Sequence, residues 1–310
     1  MNQLIKDAEK IKSLEIQGAT NVAIRAIDFL SNYAKRLKDE SVEACFESLY
    51  KAIDILMNTR PTEPAMRNGL KFIINKLKNE SNSCSLENIP KKIESFKNQY
   101  YEMLQNSKKK IAEIGVRRFP NDKKKLVVMT HCHSTLVTAI LLEAKRQGKN
   151  FKVINTETQP RLQGRKTARE LLKAGIEITH VIDSAMRWAV RHFQVDIILI
   201  GADSITSEGT IINKIGSRLL ALVAHEEHVP FYVCTPLLKY NPETNLGILE
   251  TIEMRDPKEV WENAPEKVKI VNPAFETVSR RYIDGIITEA GIFASSHVPT
   301  YFAKLYPEMV

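Results

Sequence analysis

Cysteine is scarce in this chain of 310 residues, which carries it only at positions 45, 84, 132 and 234. These four form no CxxC pair, so a dense disulfide framework is excluded and free thiols in a reducing, cytoplasmic interior are expected. No apolar run approaches the roughly 18–20 residues of a membrane span. The charged start "MNQLIKDAEKIKSL" does not resemble a secretory signal peptide. We therefore expect a cytoplasmic protein with no membrane partner.

Aromatic residues are also few, at 7%, whereas the formal net charge is +8. An excess of basic residues is typical of proteins that bind nucleic acid, a membrane surface or an anionic metabolite. The basic runs "NDKKKL" and "NSKKKIAEIGVRR" lack the interleaved aromatic side chains on which bases stack. We favour a solvated helix face over a nucleic-acid patch, and we expect no nucleic-acid partner. An anionic metabolite remains open.

The chain divides into two regions of different periodicity. Residues 1–118 predict a helical N-terminal domain, because stretches such as "NVAIRAIDFLSNYAKRL" and "AMRNGLKFIINKLKN" repeat apolar residues every three or four positions. Ser41 is a fair N-cap for one helix, and a long helix is expected to begin near Pro90. Residues 119–310 predict a Rossmann-like α/β catalytic domain.

In this second region, short apolar runs alternate with helical stretches. The runs are rich in β-branched residues, as expected for parallel strands covered on both faces. The predicted fold class is therefore α/β, a helical domain followed by a doubly wound parallel sheet. Ligands bind such sheets beyond the carboxyl ends of the strands. The six runs are "KLVVMTH", "FKVINTE", "ITHVID", "VDIILIGAD", "PFYVCTP" and "IDGIITEAG".

Cys132 follows the first run, next to a helix for which Ser134 is a plausible N-cap. The partial positive charge of a helix N-terminus stabilises a thiolate, so a lowered thiol pKa and a reactive sulfur are expected. A buried structural thiol is the alternative, since free cysteine is often buried. Zinc binding with His131 and His133 is a third reading. It lacks paired-ligand spacing, so we predict no metal.

The second and third runs end in charged loops. Glu157, Arg161, Gln163 and Gly164 follow the second run, where two arginines in a Pro-containing loop suit an anion clamp. The alternative is a turn with ordinary surface charge. Asp183 follows the third run, and we favour an N-cap there over a role in the site.

Asp203 lies directly beyond the fourth run, where a poorly solvated carboxyl group can serve as acid or base. Asn213 and Lys214 precede a predicted helix whose first amides could hold a phosphate, and Lys239 follows the fifth run. No Walker loop or GxGxxG pattern follows a strand, so no nucleotide cofactor is expected. A thiol, a carboxyl group and several cations fit proton transfer on a phosphorylated sugar, which is isomerase chemistry.

Four motifs carry a resemblance to a known superfamily: "MTHCHS", "GADSITSEGTIINKIGS", "PFYVCTP" and "LLKYNPET". They resemble the superfamily of initiation factor 2B regulatory subunits and their related sugar-phosphate isomerases. The later "ILETIEMRDPKEVW" resembles the archaeal ribose-1,5-bisphosphate isomerases in particular. The resemblance implies cofactor-free conversion of α-D-ribose 1,5-bisphosphate to D-ribulose 1,5-bisphosphate in AMP and nucleoside degradation. It also implies a phosphorylated pentose as partner, and a homodimer or higher homo-oligomer.

The resemblance assigns the catalytic pair to Cys132 and Asp203. Gln17 stands where the family usually has Arg, which weakens one expected phosphate contact and leaves open whether Arg60 or Arg25 substitutes. Two alternatives stay open: a binding subunit without catalysis, and methylthioribose-1-phosphate isomerase. The implied substrate-binding positions are Gln17, Gly18, Ala19, Arg60, Ser134, Glu157, Arg161, Gln163, Gly164, Asn213, Lys214 and Lys239.

Overall fold

Five helices occupy the first part of the chain and pack their apolar faces together. The computed structural model describes residues 1–60, 63–120, 125–248 and 250–309. The long helix begins at the predicted place, and the predicted cap at Ser41 is confirmed, because its hydroxyl accepts the backbone N–H of Ala44 at 3.1 Å. The helices are α1 (Asn2–Lys12), α2 (Ala19–Ala34), α3 (Val42–Met57), α4 (Pro64–Asn79) and α5 (Ile89–Gly115).

The second part of the chain alternates strands and helices, and all six predicted runs form strands. The strands are β1 (Leu126–Thr130), β2 (Phe151–Thr156), β3 (Ile178–Val181), β4 (Ile197–Ile200), β5 (Ser204–Ile205), β6 (Ile211–Lys214), β7 (Phe231–Cys234), β8 (Phe275–Val278), β9 (Gly285–Thr288) and β10 (Gly291–Phe293). The helices are α6 (Thr135–Arg146), α7 (Gln163–Lys173), α8 (Met186–His192), α9 (Ser217–Glu226) and α10 (Val298–Leu305).

Seven strands form the central sheet in the order β10-β9-β7-β4-β1-β2-β3. All neighbours pair in parallel except β10, which runs antiparallel to β9 at the edge. From β1 the chain proceeds to one side through β2 and β3, whereas β4, β7 and β9 lie on the other side. The crevice beyond β1 and β4 is therefore the topological switch point, where ligands bind in such sheets. The predicted α/β fold class is confirmed.

A small antiparallel sheet in the order β5-β6-β8 was not predicted. Its strands are short, and β6 pairs with a strand that lies far along the chain, as in the pairing of Lys214 with Phe275. Such long-range pairing leaves no local signal in the sequence. This small sheet matters for the site because Asp203 immediately precedes β5 and Lys214 ends β6.

The N-terminal helices pack directly against the central sheet, and one apolar cluster includes residues of both. The amide of Asn68 on α4 donates to the carbonyls of Leu238 and Tyr240, both at 2.8 Å. The proposed domain boundary at 118/119 stays a prediction. Within the described ranges, no helix has the length and apolar character to cross a membrane. Residues 121–124 of the run "NDKKKL" lie outside the described residues.

Candidate active site

Cys132 lies at the tip of β1 with its backbone held on both sides. Its N–H donates to the hydroxyl oxygen of Thr158 at 2.9 Å, and its carbonyl accepts the hydroxyl of Thr167 at 3.0 Å. The next helix begins as predicted, with the hydroxyl of Ser134 accepting the N–H of Val137. These contacts fix where the sulfur is presented.

The environment of the Cys132 thiol differs from the expected one. Burial raises its pKa to about 11, although Lys214 and the backbone N–H of His133 act in the opposite direction. The prediction that the helix N-terminus lowers this pKa was therefore wrong. Removing the sulfur from water disfavours the thiolate more than the nearby positive charges favour it. The thiol is protonated at neutral pH.

The two histidines beside Cys132 are engaged in hydrogen bonds. Nε2 of His131 lies 2.7 Å from the carbonyl of Ile215 and must donate to it, so Nδ1 accepts the hydroxyl of Thr156 at 2.6 Å. Burial lowers the pKa of His131 and lowers that of His133 to about 4. Both rings are neutral packing elements at neutral pH. In the described part of the chain, no three His, Cys, Asp or Glu side chains converge to hold a metal.

Asp203 follows β4, and its backbone N–H donates to the carbonyl of Ile212 at 2.8 Å. Its carboxyl group interacts electrostatically with the Cys132 thiol and with the Lys214 ammonium. Lys214 is nearly buried, and its Nζ stands 4.5 Å from the centre of the Phe275 ring. Burial lowers the pKa of Lys214. The structure thus brings together the predicted thiol, carboxyl group and one predicted cation.

Lys239 joins this group from another direction. It ends a short 3₁₀ helix and donates its ammonium to the carbonyl of Ala202, the residue before Asp203. Electrostatic interactions connect both Lys239 and Asp203 to Glu63, a carboxyl group with 2% exposure. Glu63 was not predicted as a site residue. The letters around it carry no motif that indicates its burial.

The predicted phosphate cradle at the start of α9 is wrong. The N–H groups of Gly216 and Arg218 both donate to one oxygen of Glu276, at 2.5 and 3.0 Å. A carboxylate of the protein therefore occupies the positive end of this helix. Asn213 does not face a free helix start either, because its amide donates to the hydroxyl of Ser217 at 2.8 Å. Its substrate contact stays a prediction.

The charged loop after β2 is only partly directed toward the site. Glu157 is ion-paired with Arg165, which lowers the pKa of this carboxyl group. Arg161 pairs with Glu259 at 2.7 Å. Gln163 begins α7, and the backbone of Gly164 packs so tightly that an added Cβ would lie 1.7 Å from the carbonyl oxygen of Thr156. Of the predicted residues here, Arg161 and Gln163 reach the cleft that Lys214 lines.

Asp183 does not cap a helix with its side chain, contrary to the favoured reading. Its two carboxylate oxygens accept the backbone N–H groups of Thr158 and Gln159, at 2.8 and 2.6 Å. Asp183 therefore fixes the loop after β2, which in turn holds the backbone of Cys132. A single acidic residue after a strand cannot reveal this contact, because its partners lie on a different loop.

In the motif at residues 17–19, Gln17 and Gly18 are exposed before α2, whereas Ala19 is buried. The exposed side chain of Gln17 donates back to the carbonyl of Leu14 at 2.7 Å. Gly18 has a φ of 85° and occupies the N-cap position, and Ala19 is the first helical residue. These three residues line neither of the cavities described below. Arg60 is buried instead and pairs with Glu63 at 3.1 Å and Glu253 at 2.9 Å.

Two cavities lie in this part of the molecule, and Lys214 lines the first of them. The first is a narrow cleft of about 10 Å³, room for roughly one water molecule. The second has about 260 Å³, close to the lower end of ligand pockets. Lys214 and Arg161 line the first, Arg60 lines the second, and Arg255 lines both. Cys132 and Asp203 themselves line neither cavity, and both side chains are half-buried.

A family model described as the initiation factor 2 subunit family matches residues 15–295. Ribose 1,5-bisphosphate isomerase of Archaeoglobus fulgidus is 38% identical over 296 residues, covering 94% of this chain and 90% of the relative. The protein of that name from Pyrococcus furiosus is 37% identical, with 98% and 92% covered. Methylthioribose-1-phosphate isomerase of Thermoanaerobacter sp. is 33% identical, with 91% and 85% covered.

Solved structures show the same architecture. Translation initiation factor eIF-2B from Pyrococcus horikoshii superposes with a TM-score of 0.79 at 28% identity, covering 95% of this chain and 98% of the other. The 5-methylthioribose 1-phosphate isomerase from the same organism also gives 0.79, at 26% identity, with 97% and 88% covered. The fold is therefore shared by relatives named for catalysis and by relatives named for translation initiation.

Proposed function

This chain belongs to the initiation factor 2 subunit family, and we propose that it is an isomerase that converts α-D-ribose 1,5-bisphosphate to D-ribulose 1,5-bisphosphate. Several relatives at 36–38% identity over nearly the whole chain carry this activity in their names. The single structural observation that supports the proposal is the mutual interaction of Cys132, Asp203 and Lys214 at the switch point of the sheet. A binding module needs no such interacting acid–base pair.

The reaction requires two balanced changes. The bond between C1 and the ring oxygen breaks while that oxygen gains a proton. The hydroxyl on C2 loses a proton, and the hydrogen on C2 moves to C1 together with its bonding electron pair. This leaves a ketone at C2. Because the thiol of Cys132 is protonated at neutral pH, we assign to it the proton donated to the ring oxygen. Asp203 then accepts the proton of the C2 hydroxyl, and transfer back to the thiol resets the site.

The two phosphates need cationic partners in a partly dehydrated site. We assign this role to Lys214, Lys239, Arg60 and Arg161. Lys214 and Arg161 line the first cavity, Arg60 lines the second, and Lys239 interacts electrostatically with Glu63, as Asp203 does. Arginine can hold a phosphate through two hydrogen bonds and so fixes its orientation. Gln17 supplies no charge, so the phosphate on the side of α2 depends on Arg60.

One assay separates this proposal from its two alternatives. Purified protein is offered ribose 1,5-bisphosphate and, separately, methylthioribose 1-phosphate, and ketose formation is followed. We expect turnover of the bisphosphate. Turnover of the thiosugar alone would move the assignment to the second isomerase. Absence of turnover with either sugar would favour a binding subunit, as in the relatives named for translation initiation.

Two substitutions test the catalytic assignment. Cys132→Ser and Asp203→Asn are each expected to lower kcat by about a hundredfold or more, the scale of a lost acid or base. Cys84→Ser is the matched control, because Cys84 lies in the helical part of the chain after α4. Wild-type turnover in either catalytic variant, with folding unchanged, would leave that side chain without a chemical role.

We further place this reaction in the breakdown of AMP and nucleosides in the cytoplasm, since these are a source of ribose phosphates. We also expect the protein to act as a homodimer or a larger homo-oligomer. Analytical ultracentrifugation of the purified chain tests the second expectation directly. A monomer at micromolar concentration would contradict it.

A further inference from the structure

Arg255 is a buried residue of the site that the sequence did not indicate. Its side chain has 7% exposure and lines both cavities, so it stands between the cleft at Lys214 and the cavity at Arg60. Its backbone is fixed, because its N–H donates to the carbonyl of Asn272 at 2.8 Å. The segment carrying Arg255 is therefore pinned to the strand-like residues that precede β8.

The guanidinium of Arg255 has unused hydrogen-bonding capacity. Its Nε and Nη1 atoms are buried without a hydrogen-bond partner. Nε lies 3.1 Å from an oxygen of Glu253, but this is an ion-pair contact and not a hydrogen bond. Buried donors without acceptors are unfavourable and rare in folded proteins. An arrangement of this kind at the wall of two cavities points to an acceptor that enters from outside.

The surrounding charges indicate the nature of that acceptor. Burial lowers the pKa of Arg255, and the nearby Arg60 and Arg161 act in the same direction, whereas Glu253 and Glu259 act in the opposite one. Lys214 also lies close enough for its pKa to be lowered by Arg255 in addition to burial. Arg60 is already paired with Glu63 and Glu253. Arg161 is likewise paired with Glu259 at 2.7 Å. Arg60 also has a buried Nε without a hydrogen-bond partner, but of these three arginines only Arg255 lines both cavities and has two unpartnered donors.

We propose that Arg255 binds a phosphate group of the substrate and, by doing so, fixes its own segment over the catalytic pair. The proposal rests on the function proposed above and adds a substrate-binding residue to it. A phosphate monoester dianion supplies several acceptor oxygens, enough for both free donors at once. Since Arg255 lines both cavities, it can contact a phosphate in either one.

The test compares Arg255→Met with wild type, using inorganic phosphate and ribulose 1,5-bisphosphate as probes. We expect the dissociation constant of inorganic phosphate, measured by calorimetry, to rise about 10- to 100-fold, the scale of lost charge-assisted hydrogen bonds. KM for the substrate, ribose 1,5-bisphosphate, should rise by a similar factor. Arg187→Met is the control, since Arg187 is an exposed residue of α8 paired with Glu226.

A thermal melt separates binding from a structural role. Without ligand, Arg255→Met should melt close to the wild-type temperature, because the substitution removes a poorly satisfied charge while Glu253 keeps its ion pair with Arg60. Phosphate or ribulose 1,5-bisphosphate should raise the melting temperature of wild type but not that of Arg255→Met. A lower melting temperature without ligand, together with unchanged phosphate affinity, would overturn the proposal.

Failure of the proposed function gives a different result. Phosphate binding that depends on Arg255 in a protein without isomerase turnover would uphold this inference and refute the isomerisation. If Arg255→Met turns over ribose 1,5-bisphosphate with the wild-type KM, the isomerisation is upheld and the inference about Arg255 is refuted.

Discussion

The backbone N–H of Cys132 donates to the hydroxyl oxygen of Thr158 at 2.9 Å and so joins the loops that follow β1 and β2. Both residues have a positive φ, 68° for Cys132 and 66° for Thr158. Residues other than glycine rarely adopt this conformation unless the surrounding structure holds them there. Here the side chain of one residue holds the backbone of the other. The direction of the thiol thus depends on a hydroxyl group from the neighbouring loop.

Thr158→Val removes that hydroxyl with little change in shape. We expect kcat to fall about 10- to 100-fold, because a small displacement of an acid or base from its reacting atom is enough for such a loss. Thr158→Ser keeps the hydroxyl and should restore most of the activity. Steady-state kinetics of the two variants, at matched melting temperatures, makes the comparison. Wild-type kcat in the Val variant would show that the hydrogen bond does not hold the thiol in place.

The raised pKa of Cys132 can be measured by alkylation. The thiolate is the species that reacts with iodoacetamide, and burial raises the pKa of this thiol to about 11. In a Cys84→Ser background, the labelling rate at Cys132 should rise about tenfold per pH unit from pH 7 to 9.5 without levelling off. Mass spectrometry of the labelled peptide follows the rate. A plateau below pH 9 would mean that Lys214 outweighs the burial.

Much of the fold could be predicted because its signals are local. The six apolar runs and the caps at Ser41 and Ser134 each depend on a few adjacent letters. The small sheet was missed because β5 has two residues and β6 pairs with a distant partner. Local patterns predict that an element exists, whereas pairing across the chain is decided by packing.

The candidate site divides in the same way. The positions of Cys132 and Asp203 after parallel strands predicted that they meet at one edge of the sheet, and in the structure the charge of Asp203 acts on the Cys132 thiol. The sign of the Cys132 pKa shift was wrong, because the extent of burial is set by the whole fold. Asp183, Glu63 and Arg255 were missed or misread for a related reason. Their partners come from other loops, so no spacing in the sequence reveals them.

Glu63 should make stability depend on pH. Burial and the nearby Asp203 raise the pKa of this carboxyl group from 4.5 to about 7. The folded state therefore holds the proton more tightly than the unfolded state, so this contribution is present below pH 4.5 and is lost as the pH rises through 7. Glu63→Gln cannot titrate. Relative to this variant, wild type should lose on the order of 3 kcal/mol in free energy of unfolding between pH 4.5 and pH 7.5.

Urea denaturation at several pH values measures this difference, with Glu47→Gln on the exposed face of α3 as control. The control should follow the wild-type curve. Parallel curves for wild type and Glu63→Gln would show that Glu63 stays ionised, with Arg60 compensating for its burial.

Gly164→Ala should disrupt the loop that leads into α7. An added Cβ would lie 1.7 Å from the carbonyl oxygen of Thr156, and the atom it meets belongs to the backbone at the end of β2, which cannot rotate away. We expect a loss of about 3 kcal/mol or more in the free energy of unfolding. Gly148→Ala is the control, because Gly148 has a φ of 72° but nothing within 4 Å of the new atom. It should lose only about 1–2 kcal/mol from the left-handed backbone. Denaturant titration of both variants decides the point, since a loss in Gly164→Ala no larger than that in Gly148→Ala would show that the backbone at Thr156 shifts to accommodate the added Cβ.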